Sequence, residues 1–203
     1  MKNFFYWAVS KAKSGNFTWL NLVFKRVLPF NAPHGIKIVG LSENQVSVVL
    51  PSRRSNRNHL KGMHACAMAT ACEFCSGMAV LIRFDMADYR LIMNRLEVDY
   101  VRRPGAGNCT AIADIPHDLE SKVNAEIEES KEGVSRFVLP SRLLDAEGNV
   151  DEVEALAPLE ARGIGAGLED LGVEGGQVAL GLPRLDLEDE LGAGDLLHGL
   201  GGL

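Results

Sequence analysis

Glu73 is the only acid in an apolar stretch that runs from Ala65 to Phe84. An ionised carboxylate taken out of water without a partner costs several kcal/mol, so it is paired, exposed at an interface, or held there for chemistry. Just upstream, Asn58-His59-Leu60-Lys61-Gly62-Met63-His64 forms a polar, glycine-containing approach to the same stretch. A helix starting at that point presents N–H groups without internal partners at the positive end of its dipole, which suits a developing oxyanion. An oxyanion donor and a carboxylate are together the parts needed for acyl transfer to water. The first stabilises charge on a carbonyl oxygen, and the second attacks or deprotonates water. His64 and Glu73 are nine residues apart, which at ~100° per residue turns them to opposite sides of one helix. They do not converge within one subunit, so the catalytic reading expects a composite site in at least a dimer.

The elements that must position these residues read as α+β. Residues 3–13 and 18–28 have helical spacing, the second segment ending before Pro29. Ile36–Leu41 and Gln45–Leu50 are rich in Ile, Val and Leu around Ser42-Glu43-Asn44, the pattern of a hairpin. A loop from Ser52 to Lys61 leads into the apolar helix at 63–84. Residues 95–102 alternate as a half-buried strand, with Cys109–Ile115 expected as its partner across Pro104-Gly105-Ala106-Gly107. A short amphipathic helix over 117–131 and a strand over 133–144, made irregular by Pro140, complete the folded part. Strands are not alternating with helices in the βαβ manner.

From residue 151 the character changes. Residues 151–203 hold 12 of the 21 glycines, no aromatic residue, and 12 acids against Arg162 and Arg184. Such a segment lacks large apolar groups to offset the entropy of ordering it, and disorder is expected. The abruptness of the change also suggests a reading-frame shift that replaces a final strand. The organisation expected is therefore N-terminal helices over 1–29, a domain over 30–150, and an acidic Gly/Leu-rich tail over 151–203.

The spacing Asn58-x3-Gly62-x-His64-Ala65-x7-Glu73 resembles that of the hotdog-fold acyl-CoA thioesterases of the phenylacetate-pathway type. Their pattern is Asn-x3-Gly-x-x-His-Gly-Gly followed by an acid nine residues after the histidine. The His-Ala pair is similar to an uncharacterised branch of that superfamily. The resemblance implies an antiparallel sheet wrapped around a long central helix, and dimers or tetramers. It implies that the Ala65 N–H polarises a thioester carbonyl next to the His64 turn, that Asn58 helps to position it, and that Glu73 acts as nucleophile or base. Coenzyme A is then part of the substrate and no cofactor is retained. Arg102 and Arg103, at a strand end where similar families meet the coenzyme A phosphates, and Arg57 are the candidates to hold it. Arg53 and Arg54 compete for that role. Two departures stand out: Ala65 and Cys66 replace the glycine pair that lets substrate approach closely.

Each candidate also has a plain structural reading. Glu73 pairs with an arginine, His64 bonds the backbone, Asn58 caps or closes a loop, and the arginines are solvated. Cys72 and Cys75 lie inside the apolar helix without a second ligand pair and read as small buried hydrophobes. A non-catalytic acyl-binding protein on the same fold is the alternative function. A hotdog dehydratase would need a histidine opposite the acid, and only His34, His59 and His117 are free to supply one.

Composition bounds the rest. The net charge is −6 over 203 residues, which argues against a dedicated nucleic-acid binder, although residues 1–150 are mildly basic. Four cysteines without a secretory spacing fit a reduced, cytoplasmic setting. The N-terminal apolar run is too short for a signal peptide. The 63–84 stretch carries a central acid and many small residues, so a helix wrapped by protein, with no membrane partner, is expected.

Overall fold

The computed structural model describes residues 2–85, 88–148 and 150–163. Helices α1 (Lys2–Lys13) and α2 (Thr18–Val27) come first, followed by the hairpin β1 (Lys37–Leu41) and β2 (Gln45–Leu50). The long helix α3 (Ala65–Arg83) follows, then β3 (Tyr89–Met93), β4 (Glu97–Tyr100) and β5 (Cys109–Asp114). Helix α4 (Leu119–Glu129) and strands β6 (Val134–Leu144) and β7 (Val150–Gly163) complete it. The strands form one antiparallel sheet in the order β1-β2-β5-β6-β7-β3, with β4 also on β7.

The sheet closes around α3 because its central strands alternate inward and outward residues and carry small inward ones. Val46, Val48 and Leu50 of β2 face Ala113, Ala111 and Cys109 of β5 in register, and all six are buried. On the far side of β5, Ala111 pairs with Leu143 and Ala113 with Ser141. The small residues of β5 let α3 lie close: the Cys75 thiol donates to the carbonyls of Val46 and Ala111, both at 3.4 Å. Ser141 donates to the Cys72 carbonyl at 3.2 Å. Ala67, Met68, Ala71, Cys72, Phe74, Cys75, Met78, Ala79 and Val80 of α3 are buried, which is the core of the molecule. By length and composition α3 could also cross a membrane, but here it is the helix the sheet wraps. This is the hotdog arrangement.

Two expectations are corrected. Cys109–Asp114 pairs with β2 and β6, while β4 pairs with β7. The Pro- and Gly-containing connection after β4 thus crosses over instead of making a hairpin, delivering the small residues of β5 to the centre beneath α3. Second, the sheet continues into the stretch read as tail. β7 pairs with β6 from Val150 to Arg162, and its other edge takes β4 at 153–156 and β3 at 159–163. A final strand is therefore present, although few large apolar residues mark it. The tail from 164 onward lies outside the described residues. Pro140, though within β6, sits just past Ser141, the last residue paired with β5, where a missing N–H is tolerated.

Candidate active site

The chain reaches α3 through a tightly bonded loop. Asn58 accepts the N–H groups of Leu60 at 3.0 Å and Gly62 at 3.1 Å through Oδ1, and its own N–H bonds the Gly62 carbonyl at 2.9 Å. Its Nδ2 reaches the Met63 carbonyl at 3.5 Å. Asn58 thus closes the loop from inside, and Lys61 takes a left-handed φ of 61° to complete it. The Arg103 guanidinium crosses the loop over Gly62, 2.5 Å from where a Cβ would lie, so a larger residue there would displace the Arg103 side chain.

Asn56, which no spacing signal singles out, anchors the same loop to the body of the protein. It is fully buried. Its Nδ2 donates to the His34 carbonyl at 2.7 Å and the Pro51 carbonyl at 2.9 Å, and its Oδ1 lies 3.0 Å from His34 Nδ1. Its carbonyl accepts the His64 N–H at 2.8 Å. Burial combined with four polar contacts makes it the hub, and neither property is written in a local pattern.

His64 is the N-cap of α3. Its extended backbone, φ −76° and ψ 135°, turns the chain into the helix, and its Nδ1 accepts the Cys66 N–H at 3.1 Å. The ring therefore does the capping work of a Ser or Asp. Ala65, the first helical residue, is exposed, and among the described residues its N–H has no acceptor. Its carbonyl accepts the Tyr100 hydroxyl at 3.0 Å, tying β4 to the first turn of α3. Tyr100 was not anticipated from sequence, because β4 meets α3 only in three dimensions.

Glu73 lies midway along α3, half-buried, and no hydrogen-bond or ion-pair partner is found for it among the described residues. Burial alone pushes its carboxyl up from 4.5 to about 7. The half-buried residues of α3 follow a helical period: Ala69, Thr70, Glu73, Gly77 and Leu81 form one stripe between the buried faces, continuing from exposed Cys66. Thr70 satisfies its hydroxyl within the helix, on the Cys66 carbonyl at 2.8 Å. Glu73 is thus the single charge on the side of α3 that the sheet leaves least covered. The chain brings Asn58, His64 and Ala65 together at the start of the helix. Measured from His64, it holds Glu73 half a turn round and about two and a half turns along, roughly 13 Å by helical rise.

The arginines are distributed unevenly around this site. Arg103 donates to the Leu60 carbonyl at 3.1 Å, and Arg57 to the Ser52 carbonyl at 3.2 Å and hydroxyl at 3.1 Å, so both flank the loop leading to α3. Arg102 turns instead to buried Asp145, 3.6 Å away. Cys72 and Cys75 are buried thiols, with Cys72 pushed up to about 12 and Cys75 raised as well, chiefly by burial. They behave as core, in accord with the sequence reading.

Solved structures resemble this fold over about 70% of the chain. A Pseudomonas aeruginosa protein of unknown function described as a probable thioesterase is 25% identical, with a TM-score of 0.63 over 70% of this chain and 92% of that one. A mutant thioesterase from the same organism is 17% identical, with a TM-score of 0.59 over 73% of this chain and 95% of that one. A Haemophilus influenzae thioesterase is 14% identical, with a TM-score of 0.58 over 73% and 91%. These last two show the fold alone. No curated protein matches the chain. Residues 18–155 match the family described as Domain of unknown function (DUF4442), and with that match spanning most of its length the chain belongs to this family.

Proposed function

We propose that the chain hydrolyses acyl-coenzyme A thioesters in a site shared between two copies. The observation that carries the reading is Glu73: an unpartnered carboxyl, raised to about 7, on the least covered stripe of an otherwise apolar helix. The free Ala65 N–H at the start of α3 in one copy receives the thioester carbonyl oxygen. Glu73 of the other copy takes a proton from water, or attacks directly. The carbonyl carbon gains an oxygen, the C–S bond breaks, and the thiol of coenzyme A leaves with a proton. Arg57 and Arg103, beside the loop, are the candidates to meet its phosphates. The resemblance to a probable thioesterase over 92% of that protein's length supports the reaction class.

A thiol-release assay across short, long and aromatic acyl-CoAs tests the reading. Glu73→Gln is expected to lower kcat by about 10²-fold or more, and a variant retaining full turnover would falsify it. One observation favours the alternative of a non-catalytic acyl-binding protein: Asn58 commits both ends of its amide to its own loop. Tight acyl-CoA binding without thiol release by the unmodified protein would decide for that alternative.

A further inference from the structure

We propose that the α1–α2 hairpin is a docking surface for an anionic lipid bilayer, lying on the membrane without crossing it. The hairpin presents two outward strips. On α1, Phe4, Trp7 and Lys11 follow one another at i, i+3 and i+7, and Phe4 and Trp7 are 43% and 40% exposed. On α2, Trp19, Leu22 and Arg26 repeat that spacing, with Leu22 44% exposed and Trp19 half-buried, its inner side packed against the core. The strips join through their rings: Trp7 stacks on Phe4 at 5.4 Å and meets Trp19 at 5.5 Å, and Phe4 meets Trp19 at 6.3 Å. Lys11 lies 5.8 Å from the Trp7 ring. Each strip therefore runs from aromatic or aliphatic side chains to a base.

Charge identifies the partner. The first 42 residues contain Lys2, Lys11, Lys13, Lys25, Arg26 and Lys37 and no acid, while the whole chain is at −6. These six positive charges stand against a net −5 over residues 43–163, which hold 14 basic and 19 acidic residues, a polarity that orients the described part of the molecule towards an anionic surface. Indole and phenyl rings seat at the boundary of headgroups and acyl chains, while lysine and arginine extend their charges to the lipid phosphates. A nucleic acid would match the bases, but the exposed aliphatic Leu22 beside Phe4 and Trp7 favours lipid.

The hairpin is also fixed firmly enough to act as a platform. Ala8, Ala12, Leu20 and Phe24 bury its inner face, and Phe24 packs on Phe74 of α3 at 5.5 Å. Asn21 bonds both backbone groups of Ile38, and Tyr6 donates to Asp85 at 2.7 Å. Helix α1 precedes residue 18, where the family match begins, so Phe4, Trp7 and Lys11 lie outside the matched residues while Trp19, Leu22 and Arg26 lie within them. An interfacial strip differs from a spanning segment such as the one excluded at 63–84, and it does not depend on the thioesterase reading.

The two tryptophans of the chain are both in this strip, so intrinsic emission reports directly on it. The full-length protein is titrated with vesicles of phosphatidylcholine alone or mixed with phosphatidylglycerol, with flotation as the second readout. The expected result is a blue shift and co-flotation with the anionic vesicles only. Lys11→Glu/Lys25→Glu/Arg26→Glu, at exposed positions, is expected to weaken partitioning at least about ten-fold, and Phe4→Ser/Leu22→Ser to weaken it while circular dichroism stays unchanged. Unmoved emission with anionic vesicles, or equal partitioning onto neutral ones, overturns the proposal. So does a concentration-dependent shift without vesicles, which would assign the strip to a second copy.

Discussion

At the scale of single residues, Ala65 and Glu73 can be separated by experiment because they act through different atoms. Ala65 is the first residue of α3 and follows a residue already in extended conformation. A proline is accommodated there, since the position needs no internal N–H and the preceding backbone suits it. Ala65→Pro removes the proposed oxyanion donor and keeps the helix, so turnover is expected to fall about 10²-fold or more with little change in melting temperature. Glu73 gives a pH signature. As a base with a carboxyl at about 7, it is expected to make kcat/KM rise with pH and level off above that value. Stability runs the other way. Because the folded carboxyl is raised above its ordinary 4.5, folding favours the protonated form, and the benefit is lost as pH rises from there through about 7. Glu73→Gln is therefore expected to match the parent near pH 4 and to exceed its stability at pH 8 by up to about 3 kcal/mol, read by urea unfolding.

At the scale of elements, the loop from Ser52 to His64 decides whether the start of α3 is presented at all. Asn56 holds it through buried contacts to His34, Pro51 and His64. Asn56→Ala strips partners from several buried groups, each costing ~1–3 kcal/mol, so a loss of about 2–4 kcal/mol in thermal or chemical unfolding is expected. His64→Ala removes one cap bond and is expected to cost only about 1 kcal/mol. The contrast also bears on what was legible. The His64–Glu73 spacing and the helix were readable because they are local and periodic. Asn56 and Tyr100 were not, because their partners lie 22 residues away at His34 and 35 residues away at Ala65. Cys109–Asp114 was recognised as a strand from its own alternation, but its neighbours were misread, since pairing is a property of two segments.

At the scale of the whole molecule, the sheet depends on its last strand and the proposed site on a second copy. β7 is the only described link between β6 and the pair β3 and β4. A chain ending at Asn149 is expected to lose the cooperative unfolding transition seen by circular dichroism. For the site, activity per chain is expected to fall on dilution in step with dissociation measured by light scattering, because Ala65 and Glu73 of one α3 stand eight residues apart, roughly 12 Å of helical rise, too far to meet at one carbonyl group. Full activity in a dilute monomer would sink the shared-site geometry.

The sequence by itself determined most local matters: the four helices and the strands β1, β2, β4, β5 and β6, but neither β3 nor β7, that one acid interrupts the apolar helix, and that a polar turn precedes it. Those follow from periodicity and from residue chemistry within a few positions. Only the tertiary structure decided that small residues of β5 lie beneath α3, that β7 completes the sheet, and that burial lifts the Glu73 carboxyl. Each of these depends on what surrounds a residue in space. Desolvation, strand pairing and buried hydrogen bonds are set by neighbours that are distant in the chain, and no spacing along it records them.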